Sequence, residues 1–257
     1  MKLLLARILQ SDRVGRVLRG LLSSGECTFR GKSLYFGGHE LVQPKVVAAL
    51  WWGLYESAER RLVKRYLRAD NPVVELGAGI GAISVHVAER LDAGQSLVCL
   101  EGNAGLIPVL QTNLARHARH LSASAKHCVI GDGKTAPFQI AEDHLCSRIG
   151  SGGGSPISGG RVSETQTMRL SQIVACAPFS QGYQLVADIE GAEAEVLFGD
   201  PQALDACVQL IVELHAARHD GTEYSVSDLV SRLESLGFEQ VDRDGAVYVF
   251  QHSRIAR

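Results

Sequence analysis

Residues 73–81 read Val-Val-Glu-Leu-Gly-Ala-Gly-Ile-Gly, and this stretch decides the fold class. Its two valines are typical of the end of a buried strand. Apolar residues then recur at helical spacing, at Ile83, Val87 and Leu91. Gly77, Gly79 and Gly81 lie in the turn between the two elements, where the absence of side chains lets the backbone approach a ligand closely. A strand, a glycine turn and a helix N-terminus together predict a nucleotide-binding site.

The composition sets the size and the class of the protein. A chain of 257 residues can form one large α/β domain, or a domain with a small cap. Hydrophobic residues make up 46% and charged residues 21%, which is typical of a globular protein. A net charge of −2 and an aromatic content of 6% argue against a nucleic-acid partner, because neither a basic field nor a base-stacking surface is indicated.

The cysteines and the N-terminus predict a cytoplasmic location. The six cysteines include no Cys-x-x-Cys pair, and disulfide frameworks favour shorter secreted chains. Arg7 interrupts the apolar start of the chain, so a signal peptide is not expected. No segment approaches the ~20 apolar residues of a membrane span.

Residues 1–70 are predicted to form an N-terminal cap. Residues 1–24 alternate apolar positions with arginines, as in an amphipathic helix. Packing on the chain's own domain is the favoured interpretation, and contact with an acidic membrane surface or a partner is the alternative. A small hairpin over 27–36, turning at Gly31-Lys32, and one helix over 46–67 complete the cap.

Residues 71–257 are predicted to form the nucleotide-binding domain. Strands alternate with helices, which implies a mostly parallel twisted sheet with right-handed crossovers. After the first strand, further strands are predicted at 96–100, 126–130, 183–187 and 207–214. A closing hairpin, formed by 238–241 and 246–250, adds an antiparallel strand at one edge, unlike an all-parallel dinucleotide-binding sheet.

A glycine- and serine-rich stretch interrupts this alternation at residues 150–160. Its composition predicts a mobile loop. Two interpretations are equally weighted, a tolerated insertion and a substrate-facing loop.

Polar residues follow the predicted strands at their carboxyl ends, where α/β sheets bind ligands. They are Glu75, Glu101, Asp132, Asp188, Glu190 and His215. Glu101 lies about twenty residues past the glycine turn, where a carboxylate can hold the ribose hydroxyls of NAD or of S-adenosylmethionine. Glu75 distinguishes between these two ligands. Its carboxylate would repel the pyrophosphate of NAD, but it suits the ammonium and sulfonium groups of S-adenosylmethionine. Asp132 can accept a hydrogen bond from an adenine amino group, or it is a simple turn residue.

The sequence here resembles a known family. Glu75-x-Gly77-x-Gly79-x-Gly81 followed by Glu101 is similar to class I S-adenosylmethionine-dependent methyltransferases. Tyr55-Glu56, the 74–81 run and the box at 188–193, Asp-Ile-Glu-Gly-Ala-Glu, together resemble the FkbM family over roughly residues 50–252. Two positions depart from the family pattern. Gly102 replaces a common proline, and Arg169-Leu170-Ser171 replaces a usual Thr-Leu-Asp.

The resemblance implies a Rossmann-like class I methyltransferase fold with S-adenosylmethionine as cofactor. It also implies methylation of a hydroxyl on a sugar, glycan or natural-product acceptor. The candidate cofactor-binding residues are Glu75, Gly77, Ala78, Gly79, Gly81, Glu101, Asn103 and Asp132.

The methylation reaction needs a base for the acceptor hydroxyl, and three residues are candidates. They are His215, Asp188 and Glu190, with His215 placed first because its unperturbed pKa suits neutral pH. Glu193 is interpreted as a helix N-terminal carboxylate. No metal is expected, although Mg²⁺ at Asp188 and Glu190 is a minor alternative.

Two other functions stay open at this point. The coincidence of Gly77, Gly79 and Ala82 with the dinucleotide fingerprint leaves an NAD(P)-dependent oxidoreductase as one alternative. A non-catalytic cofactor-binding module, anchored to a membrane or partner by its N-terminal helix, is the other.

Overall fold

The computed structural model describes residues 9–22, 24–37, 42–140, 148–149 and 161–253. The first elements are α1 (Asp12–Leu21), β1 (Glu26–Phe29), β2 (Lys32–Tyr35), α2 (Pro44–Trp51) and α3 (Ser57–Tyr66). The middle of the chain forms β3 (Val73–Leu76), α4 (Ser84–Arg90), β4 (Ser96–Glu101), α5 (Ile107–His117), β5 (Ser122–His127), β6 (Val129–Ile130), β7 (Thr135–Ile140), β8 (Arg148–Ile149) and β9 (Arg161–Met168). The last elements are α6 (Leu170–Val174), β10 (Tyr183–Ala187), β11 (Cys207–Glu213), β12 (Ala217–His219), β13 (Thr222–Tyr224), α7 (Val226–Ser235), β14 (Phe238–Asp244) and β15 (Val247–His252).

A seven-stranded sheet in the order β14-β15-β11-β10-β3-β4-β5 forms the centre of the molecule. The strands β11, β10, β3, β4 and β5 run parallel, and β15 runs antiparallel to both of its neighbours. The predicted α/β fold, with its mostly parallel sheet and C-terminal antiparallel hairpin, is therefore confirmed. The central strands β3 and β10 are buried along their whole length, because helices cover both faces of the sheet.

The closing hairpin is arranged differently from the prediction. The antiparallel strand β15 lies inside the sheet, and β14 forms the edge. The burial of the two strands gives the reason: five of the six residues of β15 are buried, whereas most of β14 is exposed or half-buried. The more apolar strand of the hairpin therefore takes the inner position.

The single helix predicted over 46–67 is wrong, because the structure has two helices there, α2 and α3. Gly53 adopts φ +62°, and Arg30 Nε donates a hydrogen bond to its carbonyl oxygen at 3.0 Å. A Cβ on Gly53 would lie 2.2 Å from the Arg30 side chain. Glu56 then adopts φ +42° immediately before α3. A left-handed residue at each end of this turn ends one helix and redirects the chain into the next.

The strand predicted over 126–130 is also divided. The sheet strand β5 covers Ser122–His127, and β6 belongs to a separate four-stranded sheet in the order β6-β9-β7-β8. β5 is the edge strand of the main sheet and is largely exposed, so its sequence lacks the apolar run of a buried strand. No pattern in the sequence predicted the small sheet. The stretch 150–160 lies outside the described residues.

The N-terminal elements pack directly against the helices of the sheet. Leu18, Phe29 and Leu34 share one hydrophobic cluster with Ile80 and Val85, among others. α1 packs closely on α2, since a Cβ on Gly15 would lie 1.8 Å from the Pro44 carbonyl oxygen. The division into a cap (1–70) and a domain (71–257) stays a prediction. Within the described parts of the chain, no helix has the length and hydrophobicity needed to cross a membrane.

Asn113 on α5 joins the hairpin β1–β2 to the glycine turn. Its side-chain oxygen accepts the Tyr35 N–H at 2.9 Å. Its side-chain amide donates to the carbonyl oxygens of Tyr35 at 2.7 Å and Ile80 at 2.8 Å. The side chain is fully buried, so these bonds are shielded from water. The position of the cap relative to the glycine turn is thereby fixed.

Candidate active site

A cleft of about 910 Å³, measured with its opening to solvent, lies at the carboxyl ends of β3, β4 and β10. Backbone atoms of the glycine turn form one part of its wall, and apolar side chains such as Leu106 and Ile130 form another. Four acidic residues complete the lining, namely Glu56, Glu101, Asp188 and Glu190. The position agrees with the rule that open α/β sheets bind ligands at this edge.

The three glycines of the turn have φ angles of +80°, +54° and +84°, but they are needed for different reasons. A Cβ on Gly77 would lie 1.8 Å from the carbonyl oxygen of Asp188, so the turn touches the end of β10. A Cβ on Gly81 would lie 2.9 Å from a methyl group of Leu110. A Cβ on Gly79 would meet nothing within 4 Å. Gly79 lines the cleft, so its missing side chain leaves space for a ligand.

Glu101 lies at the end of β4 and fixes the turn. Its carboxylate accepts the Gly79 N–H at 2.8 Å and the Asn103 N–H at 2.7 Å. Burial raises the pKa of Glu101, and these two hydrogen bonds oppose that rise. Because Glu101 also lines the cleft, its carboxylate can hold ribose hydroxyls. The open space at Gly79 and the carboxylate of Glu101 fit an adenosine-containing cofactor.

Three other predicted cofactor residues have surroundings that the sequence did not show. Asn103 is buried, and its side-chain oxygen accepts the Gly105 N–H at 3.0 Å, which shapes the loop after β4. Asp132 has a side chain that is 75% exposed, and it pairs with Arg169 at 3.5 Å outside the cleft lining. Ala78 lines a smaller chamber beneath the turn. As predicted contacts of the cofactor, these residues remain untested.

Glu75 lies in that smaller chamber, and it does not belong to the cleft lining. It is only 3% exposed, and the Cys99 thiol donates to its carboxylate at 3.3 Å. Burial raises the pKa of Glu75 to about 7, although hydrogen bonds from Ser84 and Cys99 favour the ionised form. A carboxylate in this position carries negative charge directly behind the glycine turn.

The predicted bases come together at the ends of β10 and β11. His215 Nδ1 lies 2.8 Å from the Glu193 carboxylate, which is 3% exposed. His215 Nε2 lies 3.6 Å from a carboxylate oxygen of Glu190 and 3.6 Å from one of Glu213. We call His215, Glu193, Glu190, Glu213 and Asp188 the base cluster. Glu190 adopts φ +50°, a strained conformation that is found most often at functional sites.

The pKa values of two members of the base cluster, His215 and Asp188, are both raised. The hydrogen bond to Glu193 is the main reason that the pKa of His215 rises to about 9. Burial, and then repulsion from Glu213 and Glu190, raise the pKa of Asp188 to about 8. The sequence-based preference for His215 assumed an unperturbed pKa, and this assumption is wrong. In the protein without ligands the imidazole is protonated at neutral pH.

Oxygen and nitrogen atoms suited to a metal ion cluster at two places among the described residues. One group consists of Asp188, Glu213 and His215, and the other of Glu56, Glu59 and Asp188. Within each group the ligand atoms lie within 4.8 Å of one another. Of the two Mg²⁺ ligands suggested by the sequence, Asp188 belongs to both groups and Glu190 to neither.

Sequence reasoning missed the contributions of several acidic residues. Glu56 was noted only within the family resemblance, Glu59 was not considered, and Glu193 was interpreted as a helix N-terminal carboxylate. Glu193 does lie at the start of a short helix, and its carboxylate also contacts the His215 ring. The position of Glu213, at the end of a predicted strand and two residues before His215, was a signal that could have identified it.

The protein belongs to the class of Rossmann-like class I methyltransferases. Three features define this class: the sheet order, the glycine turn and the carboxylate at the end of β4. A model of the methyltransferase FkbM domain matches residues 75–239. The chain therefore belongs to the FkbM methyltransferase family, and its cofactor is S-adenosylmethionine. This assignment decides against the NAD(P)-dependent alternative. The comparison with curated proteins gives no match.

Solved structures of other methyltransferases are similar at a low level. The ribosomal protein L11 methylase from Lactobacillus delbrueckii subsp. bulgaricus has a TM-score of 0.40 and 12% identity, with 75% of this chain and 74% of that chain covered. Aeropyrum pernix fibrillarin, with natively bound S-adenosyl-L-methionine, has a TM-score of 0.41 and 14% identity over 74% and 72% of the two chains. M. capricolum TrmK, with S-adenosyl-homocysteine, has a TM-score of 0.40 and 9% identity over 75% and 65%. Similarities this low say nothing about the acceptor of this chain.

Proposed function

We propose that the protein transfers a methyl group to a hydroxyl oxygen of a sugar, a glycan or a small natural product. The observation that carries this proposal is the contact of 2.8 Å between His215 Nδ1 and Glu193, next to a cleft with acidic residues in its wall. A histidine held through one ring nitrogen can use the other nitrogen as a general base. A hydroxyl needs such a base, because its proton must leave as the methyl group arrives.

S-adenosylmethionine, held by the glycine turn and Glu101, would supply the activated methyl group and would keep the electron pair of the carbon–sulfur bond on its sulfur. His215 Nε2 takes the hydroxyl proton in this step. Glu193 accepts the Nδ1–H and stabilises the imidazolium that forms. The strained loop at Glu190 brings its carboxylate to the Nε2 side of the ring, where it can orient the acceptor.

The base must be neutral before it can act, and the raised pKa of His215 opposes this. A cationic donor in the cleft adds positive charge near the base cluster, which lowers the pKa of the imidazole. The same charge favours ionisation of Asp188. Binding of the donor is therefore expected to prepare the base for the acceptor.

The charge of the cleft supports a neutral or cationic acceptor. Four carboxyl groups line it, and no Lys or Arg side chain is found among its described lining residues. Phosphate groups are normally bound by basic side chains, which makes RNA or DNA a poor fit. We therefore propose that nucleic acid is not the acceptor.

An acceptor screen tests the proposal. The purified protein is incubated with S-adenosylmethionine and neutral sugars, aminosugars, polyketides or transfer RNA, and S-adenosylhomocysteine release is measured. We expect acceptor-dependent release with the hydroxylated small molecules. Mass spectrometry should show one added methyl group, and NMR should place it on oxygen. Methylation of RNA, or of nitrogen or carbon in every active acceptor, would contradict the proposal.

We also propose a cytoplasmic location. Four buried cysteines carry free thiols in the structure, namely Cys27, Cys99, Cys128 and Cys207. Unpaired buried thiols are typical of proteins in a reducing compartment. Fractionation of cells that express the protein with a detectable tag would test this location.

A further inference from the structure

A small chamber of about 240 Å³ lies beneath the glycine turn, next to the donor cleft. Backbone and apolar side chains form most of its wall, including Ala78, Ile83 and Val186. Four acidic residues also line it, and they come from α3 with its preceding turn, β3 and the end of β10. These residues are Glu56, Glu59, Glu75 and Asp188. We call this space the acidic chamber.

The carboxylates of the acidic chamber converge without a compensating charge. Carboxylate oxygens of Glu56, Glu59 and Asp188 lie within 4.8 Å of one another. No Lys, Arg or His side chain occurs among the described residues that line the chamber. Burial is the main cause that raises the pKa values of all three groups, and repulsion from Asp188 adds to the rise for Glu56 and Glu59. Bringing several like charges into so small a volume is costly unless a cation accompanies them.

Two buried oxygens point to a missing partner. Glu59 is only 4% exposed, and its Oε2 atom has no hydrogen-bond partner. Asp188 Oδ1 is likewise buried without one. Buried polar atoms are nearly always satisfied, so two unpartnered oxygens on residues of one cluster indicate a ligand. The left-handed conformation of Glu56, at φ +42°, adds a strained residue to the same place.

We propose that the acidic chamber binds one hard divalent cation, of which Ca²⁺ is the best fit, through Glu56, Glu59 and Asp188. Oxygen atoms are the ligands that such ions take. Two oxygens bound to one Ca²⁺ at ~2.3–2.6 Å lie at most roughly 4.6–5.2 Å apart, so ligand atoms within 4.8 Å of one another can share one ion. Glu75 lies behind these ligands and adds negative charge.

The cation would have a structural consequence for the donor site. Asp188 touches Gly77 through its backbone carbonyl, and its side chain reaches the acidic chamber. A cation shared by Asp188 and α3 would therefore hold the end of β10 against both the glycine turn and the cap. The other group of candidate ligands, around His215, is less suited, because His215 Nδ1 is already engaged by Glu193.

Calorimetry on the chelator-treated full-length protein tests the proposal with CaCl₂, MgCl₂ and MnCl₂ as probes, in the absence of donor and acceptor. We expect one Ca²⁺ per chain and a higher melting temperature with Ca²⁺. Glu59→Gln should weaken Ca²⁺ binding by roughly tenfold or more, because it removes a charged ligand. Glu234→Gln, which changes an exposed carboxylate on α7, is the matched control and should bind like the wild type.

The possible outcomes separate the alternatives. Absence of both binding heat and a melting shift in the wild type would overturn the proposal, and so would equal binding by Glu59→Gln. If Glu59→Gln is more stable than the wild type and neither protein binds Ca²⁺, the chamber holds shared protons. If Glu59→Gln loses only affinity for S-adenosylmethionine, the chamber serves the donor's ammonium group. Should Glu59→Gln fail to fold, Glu56→Gln takes its place. None of these measurements depends on the proposed methyl transfer.

Discussion

The glycine turn and the base cluster lie on the same edge of the sheet but are built in different ways. The turn and Glu101 come from consecutive elements, β3 and β4, and they are fixed by backbone conformation and by hydrogen bonds such as that from Gly79 to Glu101. The base cluster comes from the segments after β10 and β11, and charges control its behaviour. The proposed donor side therefore depends on the shape of the backbone, whereas the proposed acceptor side depends on coupled protonation of its side chains.

Gly77→Ala should have the largest effect, because Gly77 is where the two regions touch. The substituted Cβ would lie 1.8 Å from the Asp188 carbonyl oxygen, at φ +80°. We expect a loss of about 3 kcal/mol or more in the free energy of unfolding, and no binding of S-adenosylmethionine. Urea denaturation and calorimetry measure the two effects.

Gly79→Ala is the matched control for this substitution. Its Cβ would enter open space in the cleft, so the folding cost should be only about 1–2 kcal/mol for the left-handed conformation. Donor binding should still weaken, because the added side chain would occupy part of the cleft. Equal stabilities of the two variants would show that the contact between Gly77 and Asp188 is unimportant.

His215→Ala should separate the two regions functionally. We expect kcat to fall by about 10²–10⁴-fold, the usual contribution of a general base, while affinity for the donor is retained. Activity assays and calorimetry measure the two quantities. His219→Ala, four residues further on, is the control, because His219 pairs with Glu195 and does not belong to the base cluster. Comparable losses in the two variants would remove His215 from the mechanism.

Glu101→Gln should affect the donor side alone. Hydrogen bonds to a charged group contribute about 1.5–3 kcal/mol, which corresponds to roughly 10- to 100-fold in affinity for S-adenosylmethionine. Asp132→Asn should leave that affinity unchanged, since Asp132 is exposed outside the cleft lining. Calorimetry compares the variants. A strong loss of affinity for S-adenosylmethionine in Asp132→Asn would support the contact between Asp132 and the adenine amino group that the sequence suggests.

The pH dependence of kcat/KM tests the charge coupling in the base cluster. The proposed base is the neutral form of His215, whose pKa is raised to about 9 in the protein without ligands, so kcat/KM for S-adenosylmethionine should rise with pH from 7 to about 9. Glu193→Gln removes the main cause of the raised pKa, so the rise should move to lower pH by roughly one unit or more. The maximal rate should also fall, because the ring is no longer held by a carboxylate. An unchanged pH profile would contradict a positioning role for Glu193.

A double substitution on α1, outside both regions, should have the smallest effect. Val17 and Leu21 are 66% and 74% exposed, so replacing both by serine should change the free energy of unfolding by less than about 0.5 kcal/mol. Donor binding should be unaffected. Sedimentation with anionic vesicles tests the membrane alternative. If the wild type sediments and the variant does not, these residues form a membrane contact.

Local patterns predicted most of the fold. The buried strands β3, β4, β10 and β11 are apolar runs, and the structure places them close to the predicted positions. Where local signals were weak the predictions failed. β5 is an exposed edge strand, and the division between α2 and α3 depends on the left-handed backbone of Gly53 and Glu56. Neither feature has a distinctive periodicity.

The sequence by itself determined the strands β3, β4, β10 and β11, the glycine turn and the position of Glu101, because each depends on residues that are close along the chain. It also identified Asp188, Glu190 and His215 as strand-end residues. Only the tertiary structure decided what these residues do. It placed Glu193 against His215, which raises the pKa of the imidazole, and it brought Glu59 to Asp188. The physical reason is that a pKa depends on burial and on neighbouring charges in space, which sequence spacing does not specify.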